Sequence, residues 1–555
     1  MRLNLLPTIA TVTGAALLAL PALAAATIGE EPPLTATPQA ECAPDDRPET
    51  GLQGQVSQDD HDSGRAAEGF TCNTELVGSY RSQPVDEVPT FGSIGGFKVH
   101  RYVDDAGNEC AYYDSTLLFP TNVGDIEGGV IVLDMSDPAN PVQTARLVTP
   151  AMLQPHESLV ISEERGILAA ITGTLATNPG LLDVYDISED CRQPQVLTAG
   201  FTTMTEGGVP LLGHESGLSP DGNTFWAAST ATDYVFAIDI TDATAPKVLH
   251  VSQEGSHGLN ISEDGNRTYL ANSGEGLIVL DTSQVQARVE DPEVPVVSRL
   301  DWTSRSIPQN AIPFTSDGEE YLLEIDEFGS CSEVGAGRII SIQDETNPRV
   351  VSNLRLEVHD PENFDEVCDD PGTSTPVIQG YAGHYCHIPT RVDPTIAACS
   401  MIVSGLRIFD ITDPEHPVEV AYFNAPVQDR PAFNTPFGAF EASNWAMSAP
   451  AFVPERKEIW YSDGFQGFYA VQVTDEVWPD SLEDGIHSGP TTDAVAGDDG
   501  DSATSATETT DREPRVLSSS ELAATGAGAW MQLLGALLLG SGAGLGWTRR
   551  RRADA

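Results

Sequence analysis

The chain repeats one short phrase, and this repetition constrains its fold more than any other feature. Residues 128–142 and 405–418 both contain glycine, an alternating apolar run, Asp, Ser or Thr, Asp-Pro and a closing Pro-Val. Weaker copies complete a series whose anchor residues are Asp134, Asp186, Asp239, Asp281, Ser341, Asp410 and Gln472. Seven copies spaced 42 to 69 residues apart predict seven units of one repeat architecture.

Each unit is predicted to consist of β-strands. Apolar residues alternate or form short runs rich in Val, Ile, Leu and Tyr, bounded by Gly, Asp, Asn and Pro. Tight turns at 221–222, 264–265 and 317–318 are Asp-Gly pairs, which tolerate the positive φ that hairpins require. Four antiparallel strands in a unit of this size form a propeller blade. The predicted fold is therefore all-β, a seven-bladed β-propeller of four-stranded antiparallel blades over residues 71–479.

The two ends of this domain are predicted to pair with each other. The seventh unit stops at residues 477–479 without a fourth strand, whereas a spare strand of that type, TELVGSY, lies at residues 74–80. Pairing of this early strand with the last blade closes the ring and leaves no sheet edge open.

The phrases GGVIVLDMSDPANPV and GLRIFDITDPEHPV resemble the LVIVD-repeat family of secreted, propeller-like proteins. The resemblance covers roughly residues 70–478. It implies a propeller with a surface or extracellular location, but the family brings no settled activity and no catalytic residues.

The N-terminus is predicted to be a secretory signal peptide. Residues 1–26 contain Arg2, then an apolar stretch and small residues suited to cleavage. The alternative is an uncleaved N-terminal anchor.

The C-terminal residues 522–555 resemble a cell-wall sorting signal of Gram-positive bacteria, in the LAxTG variant typical of actinobacteria. The signal comprises Leu522, Ala523, Ala524, Thr525 and Gly526, followed by an apolar run at 527–547 and four arginines at 549–552. That run is long enough for a transmembrane helix. The resemblance implies that a sortase cuts after Thr525 and joins it to the cell envelope. The alternative is a C-terminal membrane anchor that is never cut, and both alternatives place residues 27–521 outside the cell.

Composition predicts two disordered acidic segments, a linker at 27–70 and a stalk at 480–521, which are poor in aromatic residues. The net charge of −55 argues against nucleic acid and anionic lipids as partners, so the membrane is expected to be contacted only through the C-terminal helix. We interpret the charge as favouring solubility over Ca²⁺ binding, because no loop matches an EF-hand.

Eight cysteines in an exported chain indicate disulfides. Their connectivity cannot be deduced from sequence alone, and the repeat positions favour Cys72–Cys110, Cys331–Cys368, Cys386–Cys399 and Cys42–Cys191.

A set of histidines is the sharpest candidate for chemistry. They precede the inner strands of several units: His156, His214, His257, and His384 or His387. Residues at one repeat position lie at one height around the central channel, so one hypothesis is that these imidazoles converge and hold a divalent metal, with Glu157 and Glu215 as further ligands or acid/base groups. The sequence favours the other interpretation, in which each imidazole bonds a backbone carbonyl of a neighbouring blade. The anchor aspartates are interpreted as turn residues.

Two functions follow from these observations. The first, which the sequence favours, is a non-enzymatic surface module that binds a protein or glycan, acting as an adhesin or scaffold. The second is an extracellular metal-dependent enzyme that uses the histidines.

The sorting signal predicts the cellular fraction of the protein. We expect Thr525→Ala to move the protein from the cell-wall fraction to the membrane fraction, because the sortase can no longer cut while the apolar run stays. Fractionation followed by immunoblotting measures this, and an unchanged distribution would leave only a membrane anchor.

Overall fold

The computed structural model describes residues 27–29, 31–82, 95–115, 128–173, 180–205, 208, 210–229, 234–330, 333–373, 380–427, 433–435, 438–440 and 443–482 of the chain. The predicted signal peptide, most of the stalk and the whole sorting signal lie outside these residues. Within the described residues, no helix has both the length and the apolar character to cross a membrane.

Seven four-stranded antiparallel sheets form the blades, which confirms the predicted seven-bladed propeller. From the inner to the outer strand, blades 1 to 3 are Val99–Val103, Glu109–Asp114, Val130–Asp134 and Val142–Leu147; Val160–Ser162, Ile167–Ile171, Leu181–Asp186 and Gln195–Thr202; and Ser216–Leu218, Thr224–Ala227, Val235–Asp239 and Lys247–Ser252. Blades 4 and 5 are Gly258–Ile261, Arg267–Asn272, Gly276–Asp281 and Val296–Asp301; and Ile307–Ser316, Glu319–Glu327, Gly337–Ser341 and Arg349–Leu354. Blade 6 is Tyr385–His387, Ile396–Ser400, Leu406–Asp410 and Val418–Asn424, and blade 7 is Ala451–Val453, Glu458–Asp463, Gly467–Val473 and Thr74–Tyr80.

The early strand Thr74–Tyr80 completes blade 7, as predicted. It pairs antiparallel with Gly467–Val473, so that residues from the two ends of the domain share one sheet. Gly78 lies at a register shift in this strand, and a Cβ there would come 2.1 Å from the backbone oxygen of Pro138. Glycine therefore allows the clasp strand to lie against the Asp-Pro turn of blade 1.

The anchor aspartates are turn residues, as predicted. Each accepts a hydrogen bond from the backbone N–H two residues later, at distances of 2.8 to 3.0 Å for Asp134, Asp186, Asp239, Asp281 and Asp410. These bonds fix the turn that joins the third strand of each blade to the outer strand.

Residues 31–72 form an ordered strap rather than the disordered linker that their composition predicted. The side chains of Val56, Ala66 and Phe70 are buried in the core, and Glu49 forms an ion pair with the buried Arg407. Phe70–Cys72 also adds a fifth strand to blade 6. A few apolar anchors and one buried ion pair are enough to order a segment that is polar on average.

The disulfides differ in part from the prediction. The structure contains Cys42–Cys72, Cys110–Cys191 and the predicted Cys386–Cys399. The predicted pairs Cys72–Cys110 and Cys42–Cys191 are wrong, because the strap brings Cys42 to Cys72, whereas Cys110 of blade 1 lies beside Cys191 of blade 2. Cys368 is disulfide-bonded, and its predicted partner Cys331 lies outside the described residues.

The remaining elements are short. Thr27–Ile28 pairs in parallel with Val296–Asp301, and two-stranded ribbons join Gly329–Ser330 to Glu333–Val334 and Phe433–Thr435 to Gly438–Phe440. The α-helical segments are Gln58–Ser63, Arg65–Glu68, Ser283–Gln286 and Phe364–Val367, and the 3₁₀ segments are Glu357–His359, Pro361–Asn363, Pro454–Arg456 and Asp480–Leu482.

Candidate metal centre

The inner strands of blades 3 and 4 place their histidines at the same height in the ring. His214 lies five residues before Ser219, and His257 lies five residues before Ser262. Each serine begins the hairpin turn of its blade, with its N–H bonded to a carbonyl five residues later. Equal spacing from equivalent turns brings the two imidazoles together, and their Nε2 atoms are 3.1 Å apart.

Blade 2 is offset by one residue relative to these two blades. Its equivalent turn residue is Ser162, which pairs with Ile167, and the residue five positions earlier is Glu157 rather than His156. The backbone of His156 has φ +52°, a left-handed conformation that is uncommon and strained outside glycine and a few polar residues. Blade 2 thus supplies both a carboxylate at the ring position and an imidazole beside it.

Blades 5 and 6 supply the rest of the cluster. His384 immediately precedes the inner strand of blade 6, and Glu327 ends the second strand of blade 5. The side chains of both residues are buried.

The carboxylate of Glu157 lies at the centre of the imidazoles. Its Oε2 is 3.2 Å from Nε2 of His214 and 3.8 Å from Nδ1 of His257. Its Oε1 is 3.6 Å from Nε2 of His156 and 3.7 Å from Nε2 of His384. One buried carboxylate is therefore within 4 Å of four imidazoles.

Glu327 contacts the cluster from the side of blade 5. Its Oε1 is 3.0 Å from Nε2 of His257, and its Oε2 is 3.2 Å from Nε2 of His384. Four imidazoles and two carboxylates thus form one continuous cluster contributed by five blades, 2 to 6.

Backbone carbonyls orient two of the imidazoles. Nδ1 of His214 is 2.9 Å from the carbonyl oxygen of Gly173, and Nδ1 of His384 is 2.6 Å from that of Met447. A carbonyl only accepts hydrogen bonds, so each Nδ1 donates and each Nε2 is directed into the cluster, where a neutral imidazole would offer its lone pair. Metal-ligating histidines are oriented by the same kind of contact.

Burial and charge shift the pKa values of the cluster in opposite directions. Burial lowers the pKa of His156 to about 3. Burial also opposes the charge on His257, but attraction to Glu157 and Glu327 outweighs it and raises the pKa of His257 to about 9. Burial raises the pKa of both glutamates, yet the neighbouring imidazoles lower it, in Glu157 well below its usual value. The cluster therefore keeps its carboxylates ionised, as metal ligands must be.

A second layer of polar residues lies next to the cluster around Glu215. Nζ of Lys98 donates to Oε1 of Glu215 over 2.7 Å, and the amide of Asn310 donates to the same oxygen. Burial raises the pKa of Glu215, although the attraction of Lys98 opposes this. A Cβ on Gly258 would lie 1.7 Å from Oε2 of Glu215, so the glycine makes room for this carboxylate.

An aromatic ring from blade 1 covers part of the cluster. The centroid of the Phe97 ring is 4.4 Å from that of His156 and 5.1 Å from that of His384, and Phe97 itself has no exposed surface. An apolar wall of this kind lowers the local dielectric and strengthens the interactions inside the cluster.

Several buried polar atoms of this region have no hydrogen-bond partner among the described residues: Nδ1 of His156, Oε2 of Glu215 and Nδ1 of His257. Unpaired buried polar atoms are rare because each costs about 1–3 kcal/mol. Three groups of potential ligands share Glu157: His156 with His214, Glu327 with His384, and Glu215 with His257. The ligand atoms within each group lie within 4.8 Å of one another, which fits a bound cation.

The structure therefore brings together four of the five predicted histidines. His387 does not join them, because it lies at the end of the inner strand of blade 6 and stacks on Phe452 at 6.2 Å. Sequence reasoning missed Glu327, which occupies no repeated position. The signal available was its strand, EEYLLEIDE, where carboxylates stand among core residues and need buried partners.

A second group of potential ligands is Cys42, Asp46 and Cys72. The two sulfur atoms are bonded to each other, so this group is a disulfide and not a metal site.

Comparison with known proteins agrees with the resemblance seen in the repeats. The family model of the LVIVD repeat matches residues 121–149, a stretch that includes the third and outer strands of blade 1. No curated protein matches the chain.

Solved structures that resemble this chain include two lactonases and a synthase. The periplasmic gluconolactonase of Pseudomonas aeruginosa is 13% identical with a TM-score of 0.41, covering 63% of this chain and 93% of that one. A putative 6-phosphogluconolactonase of Bacteroides fragilis is 12% identical with a TM-score of 0.39, covering 63% and 91%. The hydrazine synthase of Kuenenia stuttgartiensis is 15% identical with a TM-score of 0.35, covering 57% and 75%. Similarities this low carry no argument about the chemistry of this chain.

The raised pKa of His257 predicts a pH-dependent stability in metal-free protein. The pKa is about 9 in the folded state and about 6.5 in an unfolded chain. The stabilisation from protonated His257 is therefore complete below about pH 6.5 and is lost as the pH rises to about 9. We expect the difference in the free energy of unfolding between wild type and His257→Gln, measured by urea titration with a chelator present, to shrink over this window.

The exposed His416 offers a matched control, since its side chain is 78% exposed. His416→Gln is expected to change the free energy of unfolding less than His257→Gln does below about pH 6.5, because the exposed imidazole makes no buried ion pair. A difference for His257→Gln that grows with pH would contradict the assigned charge state.

Proposed function

We propose that this protein is an extracellular metal-dependent enzyme whose propeller holds one divalent transition metal ion at the axis. The observation that carries the proposal is the convergence of four imidazoles on Glu157 and Glu327, with buried polar atoms left unpaired around them.

The ligands that fit best are His214, His257 and His384, with Glu157 and Glu327 as carboxylate donors. His214 and His384 already direct Nε2 into the cluster, and both glutamates lie within 3.2 Å of an imidazole nitrogen that they would share with the ion. His156 lies further from its nearest carboxylate and is a weaker candidate.

The donor set favours some metals over others. Imidazole with carboxylate suits zinc, iron, copper, manganese or nickel, whereas Ca²⁺ and Mg²⁺ prefer all-oxygen sites. A buried divalent cation would also neutralise carboxylates that the described residues balance only in part. Such an ion acts as a Lewis acid or lowers the pKa of a bound water.

The convergence favours the enzyme over the scaffold that the sequence alone favoured. A binding module presents its residues at the surface, whereas these side chains are at most 9% exposed. If each imidazole only bonded a carbonyl of its neighbour, the Nε2 atoms would have no reason to meet, yet those of His214 and His257 are 3.1 Å apart. A site this enclosed suits a small substrate and oxidative or hydrolytic chemistry.

We further propose that the protein is exported and attached to the cell surface through residues 522–555, with a sortase as its processing partner. The signal peptide at 1–26, the sorting signal and the disulfides support this location. A protein or glycan ligand on the acidic surface and the absence of a nucleic acid partner remain expectations from composition.

Metal content tests the proposed function. We expect the exported protein to carry about one equivalent of a transition metal after mild purification, and His214→Ala and His384→Ala to retain less than about a tenth, because each removes a ligand. Inductively coupled plasma mass spectrometry measures this directly.

His416→Ala is the matched control, since His416 is exposed and remote in sequence from the cluster. Glu157→Gln, which keeps the shape of the side chain, guards against misfolding as the cause of metal loss. Metal below about a tenth of an equivalent in wild type, or full retention in both histidine variants, would refute the proposal.

A further inference from the structure

A cavity of about 120 Å³ lies in the central channel among the inner strands of all seven blades. Its wall contains three cationic side chains, Lys98, Arg101 and Arg391, and no Asp or Glu among the described lining residues. The whole chain has 83 acidic and only 28 basic residues. A wall with cationic and no acidic side chains is therefore the opposite of what the average composition of the chain predicts.

Arg391 is the cation of this wall without a carboxylate partner. Its guanidinium donates to the carbonyl oxygen of Ile261 over 2.7 Å and to Oδ1 of Asn260 over 3.2 Å, and it forms no ion pair with any described residue. By contrast, Arg101 pairs with Glu109 at 2.5 Å and also with Glu455. Burial lowers the pKa of Arg391 to about 10, so it still carries its charge at neutral pH.

His387, the predicted histidine that does not join the metal cluster, lines the same cavity. Its Nδ1 is buried and has no hydrogen-bond partner among the described residues. Burial, with the nearby His100, Lys98 and Arg391, lowers the pKa of His387 to about 3. Burial and the neighbouring cations keep the imidazole neutral, and an anion in the cavity would offset the positive charge of Lys98 and Arg391.

The remaining wall sets the size and character of the ligand. A volume of 120 Å³ corresponds to about four water molecules in the liquid. The wall also contains apolar side chains: Val99, Leu218, Leu259, Ile312 and Ile388. An inorganic oxyanion has no apolar part to contact these side chains, whereas a short carbon chain can pack against them.

We infer that this cavity binds a small organic carboxylate of about two to four carbons. Its carboxylate accepts hydrogen bonds from Arg391 and from the neutral imidazole of His387, and its carbon chain contacts the apolar side chains. The site is separate from the metal ligands, although Lys98 and Asn310, which hold Glu215, line both.

Calorimetric titration of the metal-free full-length protein with sodium propionate tests the inference at fixed ionic strength. We expect one propionate per chain with a Kd of about 1 mM or tighter, and at least a tenfold weaker affinity in Arg391→Gln, because the guanidinium supplies the only unpaired charge in the described wall. Sodium sulfate is expected to bind at least tenfold more weakly than propionate.

Arg349→Gln is the control, since Arg349 is an arginine with a 60% exposed side chain, 3.6 Å from Glu415. It is expected to bind propionate as wild type does. His387→Gln, also expected to weaken binding, keeps the test valid if Arg391→Gln does not fold.

Absent binding, binding unaffected by both cavity variants, or sulfate binding as tight as propionate binding would overturn the inference. Metal content of Arg391→Gln is expected to equal that of wild type. Because the titration uses metal-free protein, failure of the carboxylate site and failure of the metal centre give separate results.

Discussion

Closure of the ring is the constraint on which the rest of this structure depends. The strand Thr74–Tyr80 pairs with Gly467–Val473, which joins residues separated by almost the whole domain. Only a closed ring of seven similar blades brings the starts of all inner strands to one axis. The buried cluster at that axis depends on this closure.

At the axis, the energetic problem is the burial of charge. Glu157 and Glu327 are ionised in a region where an uncompensated carboxylate is very unfavourable. Protonated His257 offsets part of this charge, and Lys98 offsets part of the charge on Glu215. Within the metal cluster itself, two ionised carboxylates face one protonated imidazole, and this excess of negative charge is the electrostatic argument for a divalent ion.

The sequence predicted the architecture better than it predicted the site. Repeats report what every blade shares, and so the blade count, the clasp and the turn role of residues such as Asp239 follow from them. The site depends on how individual blades differ. The offset that puts Glu157 at the ring position comes from one extra residue before Ser162, and Glu327 ends the second strand of blade 5, outside the repeated phrase.

The order of the strap and the pairing of its cysteines were also not predicted by local sequence patterns. Average composition at 27–70 indicates disorder, but order in the strap depends on specific contacts such as Glu49 with Arg407 and on the bond between Cys42 and Cys72. Contacts of this kind join residues that are far apart in the chain. They depend on which parts of the blades meet in the folded ring, so they cannot be read from local sequence patterns.

X-ray absorption spectroscopy of the metal-loaded protein reports the atoms bound to the ion. We expect nitrogen and oxygen neighbours at about 2.0–2.2 Å with the outer-shell scattering of about three imidazoles. A first shell of sulfur, or of oxygen with no imidazole scattering, would contradict the proposed metal centre.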